Sequence, residues 1–171
     1  MNKTLLALAL FTGVISAANA ADGTINFEGS VLETACTATA AVSTVNMGAI
    51  SKVALGSVGA TSLAKPVSIT LSSCPAAATK ATITFAGTPD TDNSQLFKVV
   101  AGSGTAATGL GLALYDADGT TLIAPNAISA EKTLSATTDT VYSFTAKYMA
   151  TKAAVTAGDA NASTSFTVNY N

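Results

Sequence analysis

Hydrophobic and polar residues alternate along most of the chain, in short runs that are separated by turn-forming residues. The clearest run is 66–73, in which Val67, Ile69 and Leu71 alternate with polar neighbours and would share one face of a strand. Comparable runs cover residues 23–33, 81–85, 95–100, 120–123, 141–149 and 162–170, and a more continuous apolar run covers 110–115. Short strands rich in Thr and Val, with turn signals roughly every 8–12 residues, predict one all-β domain built as a sandwich or barrel.

Three other segments refine this prediction. Residues 35–41 are rich in Ala, but their Thr and Cys content and the absence of a 3.6-residue apolar period argue against a helix. Asp118-Gly119 predicts a two-residue hairpin turn that leads into the strand at 120–123. The Gly-rich stretch 102–111 is typical of a flexible loop, and it lacks the Lys that a phosphate-binding loop requires.

The first 20 residues predict a signal peptide. Lys3 supplies a positive start, residues 4–15 form a short apolar segment, and Ala18-Asn19-Ala20 fits the small-x-small cleavage rule. The apolar segment is too short to span a bilayer, which needs roughly 20 residues. We therefore expect an exported chain that begins at Ala21, with no membrane span after signal removal.

Composition excludes most kinds of chemistry. The chain has no His and no Trp, all eight of its basic residues are Lys, and its net charge is −2. Without His there is no Ser-His-Asp or Cys-His pair and no imidazole metal site, and a net negative charge argues against nucleic acid as a partner. We expect no enzyme, no cofactor and no metal. A hydrolase that used the carboxylates of Asp90 and Asp92 ranks last, because this Thr- and Pro-rich run favours a turn.

Cys36 and Cys74 are the only two cysteines of the chain. An even pair in an exported protein predicts a structural disulfide. A redox-active pair is the alternative, but the C-x-x-C spacing is absent. Closing a loop of this length would stabilise the fold by about 4 kcal/mol in the chain-entropy model.

Two apolar stripes lie near the ends of the exported chain. At the first, Ile25, Phe27, Gly29 and Val31 share one face of the strand at 23–33. This strand could simply pack inside its own sandwich. However, a Gly within an apolar stripe weakens a strand and suggests close approach to another backbone or to a bulky side chain. The segment could therefore leave its own domain and pair with another chain.

The second stripe is the run 162–170, in which apolar and Thr side chains alternate almost to the last residue. A strand at the extreme C-terminus without a neighbour on one side would be an exposed sheet edge, which normally promotes aggregation. If the N-terminal strand of another chain fills that gap, the edge becomes a means of polymerisation.

Several short motifs, in this order and spacing, resemble a known family: Gly23-Thr-Ile-x-Phe27-x-Gly29-x-Val31 before Cys36, Val45-Asn-Met-Gly48, Gly59-Ala-Thr61, Phe144-x-Ala146-Lys147-Tyr148, Gly158 and the penultimate Tyr170. The chain resembles the major structural subunits (pilins) of bacterial chaperone–usher, type 1-like fimbriae. The resemblance implies an all-β, incomplete immunoglobulin-like sandwich that is completed by a donor strand from another subunit.

The resemblance also implies a division of the chain and a route to the cell surface. Residues 1–20 are the signal peptide, 21–33 the donor-strand extension and 34–171 the pilin domain. A periplasmic chaperone lends a strand and holds the terminal carboxylate, and at an outer-membrane usher the next subunit's extension replaces that strand in a surface fimbria. The implied donor residues are Ile25, Phe27, Gly29 and Val31. The implied C-terminal segment contains Gly158, Phe166, Val168, Tyr170 and Asn171.

Alternative functions remain open at this point. A minor or tip subunit of a fimbria would share these motifs. A secreted single-domain β-sandwich that binds a ligand is the alternative outside fimbriae.

Overall fold

The structure is a computed structural model, which describes Gly29, Val31 and residues 34–171. The chain divides into a first unit that ends at Val31 and a domain formed by residues 32–171. The predicted signal peptide, Ile25 and Phe27 lie outside the described residues.

Seven strands and one short 3-10 helix make up the regular structure of the domain. They are β1 (Thr37–Ala40), the 3-10 helix (Lys52–Leu55), β2 (Lys65–Ser72), β3 (Lys80–Ala86), β4 (Leu110–Tyr115), β5 (Lys132–Thr133), β6 (Thr140–Ala150) and β7 (Ser165–Tyr170). Four strands form one sheet in the order β1-β2-β6-β4, and three form a second sheet in the order β5-β3-β7. Every pairing between these strands is antiparallel.

The core lies between the inward faces of the two sheets. Alternate residues of β6 are buried, among them Tyr142, Phe144 and Ala146, as the period of a strand requires. The Phe144 ring meets the Phe85 ring of the second sheet edge to face, with centroids 4.8 Å apart. The Tyr142 hydroxyl donates a hydrogen bond to the Ala81 carbonyl and so ties the two sheets together. The predicted all-β sandwich is confirmed.

Two predicted strands are wrong. Residues 95–100 contribute only isolated bridges, of which Phe97 makes two. Residues 120–123 contribute only the bridge of Leu122 to Tyr115, because the turn before them is wider than two residues. The Asp118 carboxylate accepts hydrogen bonds from the amides of Thr120 and Thr121, at 2.8 and 2.7 Å, and holds that wider turn.

Candidate functional site

Strand β7 lies at the edge of its sheet. It pairs with β3 from Phe85↔Phe166 to Ala81↔Tyr170, and the strand order places no described strand on its other side. Phe166, Val168 and Tyr170 are half-buried and pack against the main core cluster. The structure therefore brings together three of the five residues expected in the C-terminal segment, on one face of an open edge.

An open groove begins beside this edge. Two chain segments line it, residues 42–50 and residues 155–164, together with Phe166 and apolar side chains from the sheets. The volume of the groove is about 1070 Å³. The side chains that the strands contribute are almost all apolar: Val67, Ile69, Phe85, Leu110, Leu112, Leu114, Ala146 and Tyr148.

The groove extends to the main core cluster. Ile69, Phe85 and Ala146 belong to the main core cluster and also line the groove. An extended peptide laid beside β7 could hydrogen-bond to its free edge while alternate side chains enter this apolar space. The arrangement is suited to accepting a strand.

The segment 42–50 is shaped by a local turn. Gly48 has a φ of +74°, and its amide donates to the Asn46 side-chain oxygen at 2.9 Å. That conformation favours Gly. On either side of it, Met47 and Ile50 are half-buried and pack against the smaller core cluster, which contains Tyr148. The Val45–Gly48 motif therefore fixes one border of the groove.

Tyr148 is hydrogen-bonded to the opposite border of the groove, the segment 155–164. Its hydroxyl donates a hydrogen bond to the Ala160 carbonyl, within the segment 155–164. Burial raises the pKa of Tyr148 above its usual value. Two residues of the Phe144-x-Ala146-Lys147-Tyr148 motif, Ala146 and Tyr148, thus line the groove, and Tyr148 also holds one of its borders.

The C-terminus is anchored at the far end of β7. The Tyr170 hydroxyl accepts a hydrogen bond from the Cys36 amide at 3.0 Å. The Asn171 amide donates to the Lys80 carbonyl at 3.0 Å, and its side-chain amide donates to Glu131 at 2.9 Å. Hydrogen bonds from Lys80 and from Asn171 lower the pKa of the Glu131 carboxyl. Asn171 therefore stays close to β3.

Cys36 and Cys74 form the expected disulfide. Both are buried in the main core cluster, and the bond joins the start of β1 to the end of β2. Because the Cys36 amide also donates a hydrogen bond to the Tyr170 hydroxyl, the disulfide and the last strand lie at the same end of the sandwich.

Gly158 lies apart from the β7 stripe, within the segment 155–164. A Cβ at this position would lie 2.6 Å from the Ala107 nitrogen and 2.8 Å from the Ala106 carbonyl carbon, and closer still to the Thr105 oxygen. The Gly therefore allows two backbones to touch. Sequence patterns alone did not identify either border of the groove, although the Val45–Gly48 motif was a signal for one and Gly158 for the other.

Of the four expected donor residues, the structure describes two. Gly29 and Val31 belong to no regular element, and the Val31 side chain is 98% exposed. Their role as donor residues stays a prediction.

The remaining chemistry of the described chain is limited. Within it, no group of three or more His, Cys, Asp or Glu side chains is placed to hold a metal ion. No helix in the same part of the chain has the length and apolar character needed to cross a membrane.

Comparison with known proteins identifies the family. Residues 25–171 match the family described as Fimbrial protein. The "Probable major fimbrial subunit LpfA" of Escherichia coli O157:H7 is 37% identical over 169 residues, which cover 97% of this chain and 93% of the relative. The solved Burkholderia pseudomallei antigen and type I fimbria protein is 34% identical with a TM-score of 0.60, and the match covers 86% of this chain and 97% of that one.

A solved chaperone–usher pilus has the same fold. Its TM-score is 0.65 at 22% identity, with 88% of this chain and 96% of that chain covered. The incomplete immunoglobulin-like sandwich that the sequence motifs implied is thus confirmed as the fold. From this fold, the family match and the close relative, we conclude that the chain belongs to the fimbrial protein family and is a structural subunit of a cell-surface fimbria.

Proposed function

We propose that the groove beside β7 accepts residues 21–33 of a neighbouring copy as a donor strand, and that subunits polymerise in this way into a fimbria that supports adhesion. The observation that carries the proposal is the free edge of β7 next to an apolar groove of about 1070 Å³. An edge of this kind would promote disordered aggregation unless a defined strand covered it.

The donor stripe has the spacing that such a groove requires. Alternate residues of a strand point to the same face, roughly 6.6–6.8 Å apart, so Ile25, Phe27, Gly29 and Val31 would face the groove together. Burying the three larger side chains would contribute roughly 1.5–3 kcal/mol each. The main-chain hydrogen bonds to β7 would each add roughly 0.5–1.5 kcal/mol.

These gains are opposed by the cost of ordering a free extension, about 1–2 kcal/mol per residue. The surplus that holds two subunits together must therefore come from completing the core of the acceptor. Val67, Leu112 and Phe166 line the groove, are only partly buried and already pack against that core, so a donor that covers them extends existing packing.

The same edge would be used earlier, during export. A periplasmic chaperone would lend a strand along β7 and hold the carboxylate of Asn171. Phe166, Val168 and Tyr170 would then face the chaperone strand, with Gly158 in the groove border. At the outer-membrane usher the next subunit's extension would replace the chaperone. A structural rather than catalytic role also agrees with a chain that has no His and no Arg.

The experiment is deletion of residues 21–31 in cells that also express the chaperone and usher. We expect a subunit that still co-purifies with the chaperone but does not enter fibres, as judged by electron microscopy and by detergent-resistant ladders. The matched control replaces Asn26, Glu28 and Ser30, which alternate in sequence with the proposed groove-facing stripe, with Ala; it leaves that stripe intact and should allow fibres. Normal fibres from the deletion variant would overturn donor-strand pairing.

A further inference from the structure

The groove border formed by residues 155–161, here called the rim segment, is paired on its outer side with residues 100–108, here called the support loop. The amide of Val100 donates to the Asn161 carbonyl at 2.8 Å, and the reverse bond is 3.1 Å. The Asp159 amide donates to the Thr105 carbonyl, also at 2.8 Å. The rim segment thus has a continuous backbone partner outside the two sheets.

The side chain of Asp159 makes a second connection between these segments. Its Oδ2 atom accepts hydrogen bonds from the amides of Gly102 and Gly104, at 3.0 and 2.7 Å. Gly-rich chain loses more conformational entropy on ordering than any other. Bonds from backbone amides to an ionised acceptor are among the stronger hydrogen bonds in proteins, so one carboxylate can fix the tip of this loop.

Gly158 allows the contact to be this close. A Cβ there would overlap the backbone at residues 105–107, with the Ala107 nitrogen only 2.6 Å away. The support loop and the rim segment both contribute to the groove, through Ala107 and through all of residues 155–161. Movement of the support loop would therefore alter the groove itself.

We propose that Asp159 is a positioning residue for donor-strand acceptance: its carboxylate fastens the Gly-rich support loop to the rim segment and so preforms the rim half of the groove before a donor arrives. The proposal rests on the donor-strand function proposed above. When only a fraction of a protein is in the binding-competent conformation, the apparent affinity for its ligand falls by that fraction. When the rim is already formed, the apparent affinity for the donor is not reduced in this way.

The test uses the exported chain, residues 21–171, refolded with its disulfide, and a fluorescent synthetic peptide of residues 21–33. The reference chain, called wild type in this test, and every variant carry Ile25→Asp and Phe27→Asp, so that the chain's own extension does not compete with the peptide for the groove. If Asp159→Ala reduces the fraction with an ordered rim to about a tenth, the apparent Kd for the peptide rises about tenfold. Asp159→Asn keeps an oxygen that can accept both amides, and it should restore binding to near the wild-type value.

The matched control is Asp118→Ala. Asp118 also accepts two backbone amides, those of Thr120 and Thr121, but it lies in the 116–121 turn and does not line the groove. Its removal should leave the peptide Kd unchanged. Hydrogen exchange gives a second readout: the Ala107 amide, which donates to the Asp159 backbone carbonyl at 2.8 Å, should exchange faster in Asp159→Ala and regain protection when the peptide binds.

The outcomes separate the two proposals. If the wild-type chain does not bind the peptide, the donor-strand function fails and the role of Asp159 fails with it. If the wild-type chain binds the peptide and Asp159→Ala binds it as tightly as Asp118→Ala does, only the positioning role is overturned. Loss of binding without faster Ala107 exchange would also overturn it, because Asp159 would then act by touching the donor.

Discussion

Replacing Tyr170 with Phe tests the hydrogen bond that joins the last strand to the start of the domain. The substitution removes one oxygen, which accepts the Cys36 amide at 3.0 Å, and leaves the half-buried ring in place against the core. When a fully buried amide loses its hydrogen-bond partner, the free energy of unfolding falls by about 1–3 kcal/mol. This contact is only partly buried, so water replaces some of the lost bonding and we expect about 1 kcal/mol. In a domain of this size that lowers the unfolding temperature by roughly 2–4 °C.

The assay is urea unfolding of the refolded exported chain with its disulfide intact. The matched control is Tyr115→Phe, which deletes a hydroxyl from another half-buried Tyr that has no hydrogen-bond partner among the residues described. Substitutions that break no hydrogen bond and leave no cavity change the free energy of unfolding by no more than about 0.5 kcal/mol. If the two variants lower the free energy of unfolding equally, the Tyr170–Cys36 bond contributes nothing of its own and the reasoning is refuted.

Three further predictions concern the disulfide, the donor stripe and the acid range. Cys36→Ser should remove about 4 kcal/mol of stability and lower the periplasmic level of the subunit on immunoblots, and equal levels would contradict an essential disulfide. Gly29→Asn should reduce fibre yield while leaving export intact, and unchanged yield would remove the argument for close approach at that residue. The Glu131 carboxyl has a lowered pKa because it accepts hydrogen bonds from Lys80 and Asn171, so its contribution is present above its unfolded pKa of about 4.5 and is lost as pH falls through the lower folded value. The unfolding temperature of the wild type should therefore drop more steeply below about pH 4.5 than that of Glu131→Gln, and parallel profiles would contradict the contact.

Alternation of apolar residues predicted most of the longer strands because they bury mainly one face, whereas a continuous apolar run predicted β4, which buries residues of both faces. β2, β3, β4, β6 and β7 all lie where the sequence placed strands, with bounds shifted by up to three residues. The pattern failed at 95–100, where the adjacent residues Leu96 and Phe97 are both buried. Apolar residues there anchor a loop to the core, and a local pattern does not show whether a partner strand lies in register.

The sequence predicted the edge strand of the site but not the borders of the groove. Phe166, Val168 and Tyr170 were identified because an apolar stripe reached the C-terminus. Apart from Gly158, the rim was not, because its contacts are hydrogen bonds from backbone amides to groups far apart in sequence, such as that from the Gly102 amide to the Asp159 side chain, 57 residues away. A Gly-rich stretch predicts a flexible loop when no distant carboxylate is known to capture it.

The two ends of the acceptor strand are held by different means, and this separates stability from binding. At the far end of β7, Tyr170 is tied through the Cys36 amide to a buried disulfide, so loss of that contact should lower the free energy of unfolding. At the near end, Asp159 holds a loop that lies outside both sheets, so its loss should change how readily a donor is accepted more than how stably the core is packed. If Asp159 has the proposed positioning role, the groove stays formed without a partner strand beside β7. The binding free energy of an arriving donor would then stabilise the junction between subunits, because it would not be offset by the cost of ordering the groove.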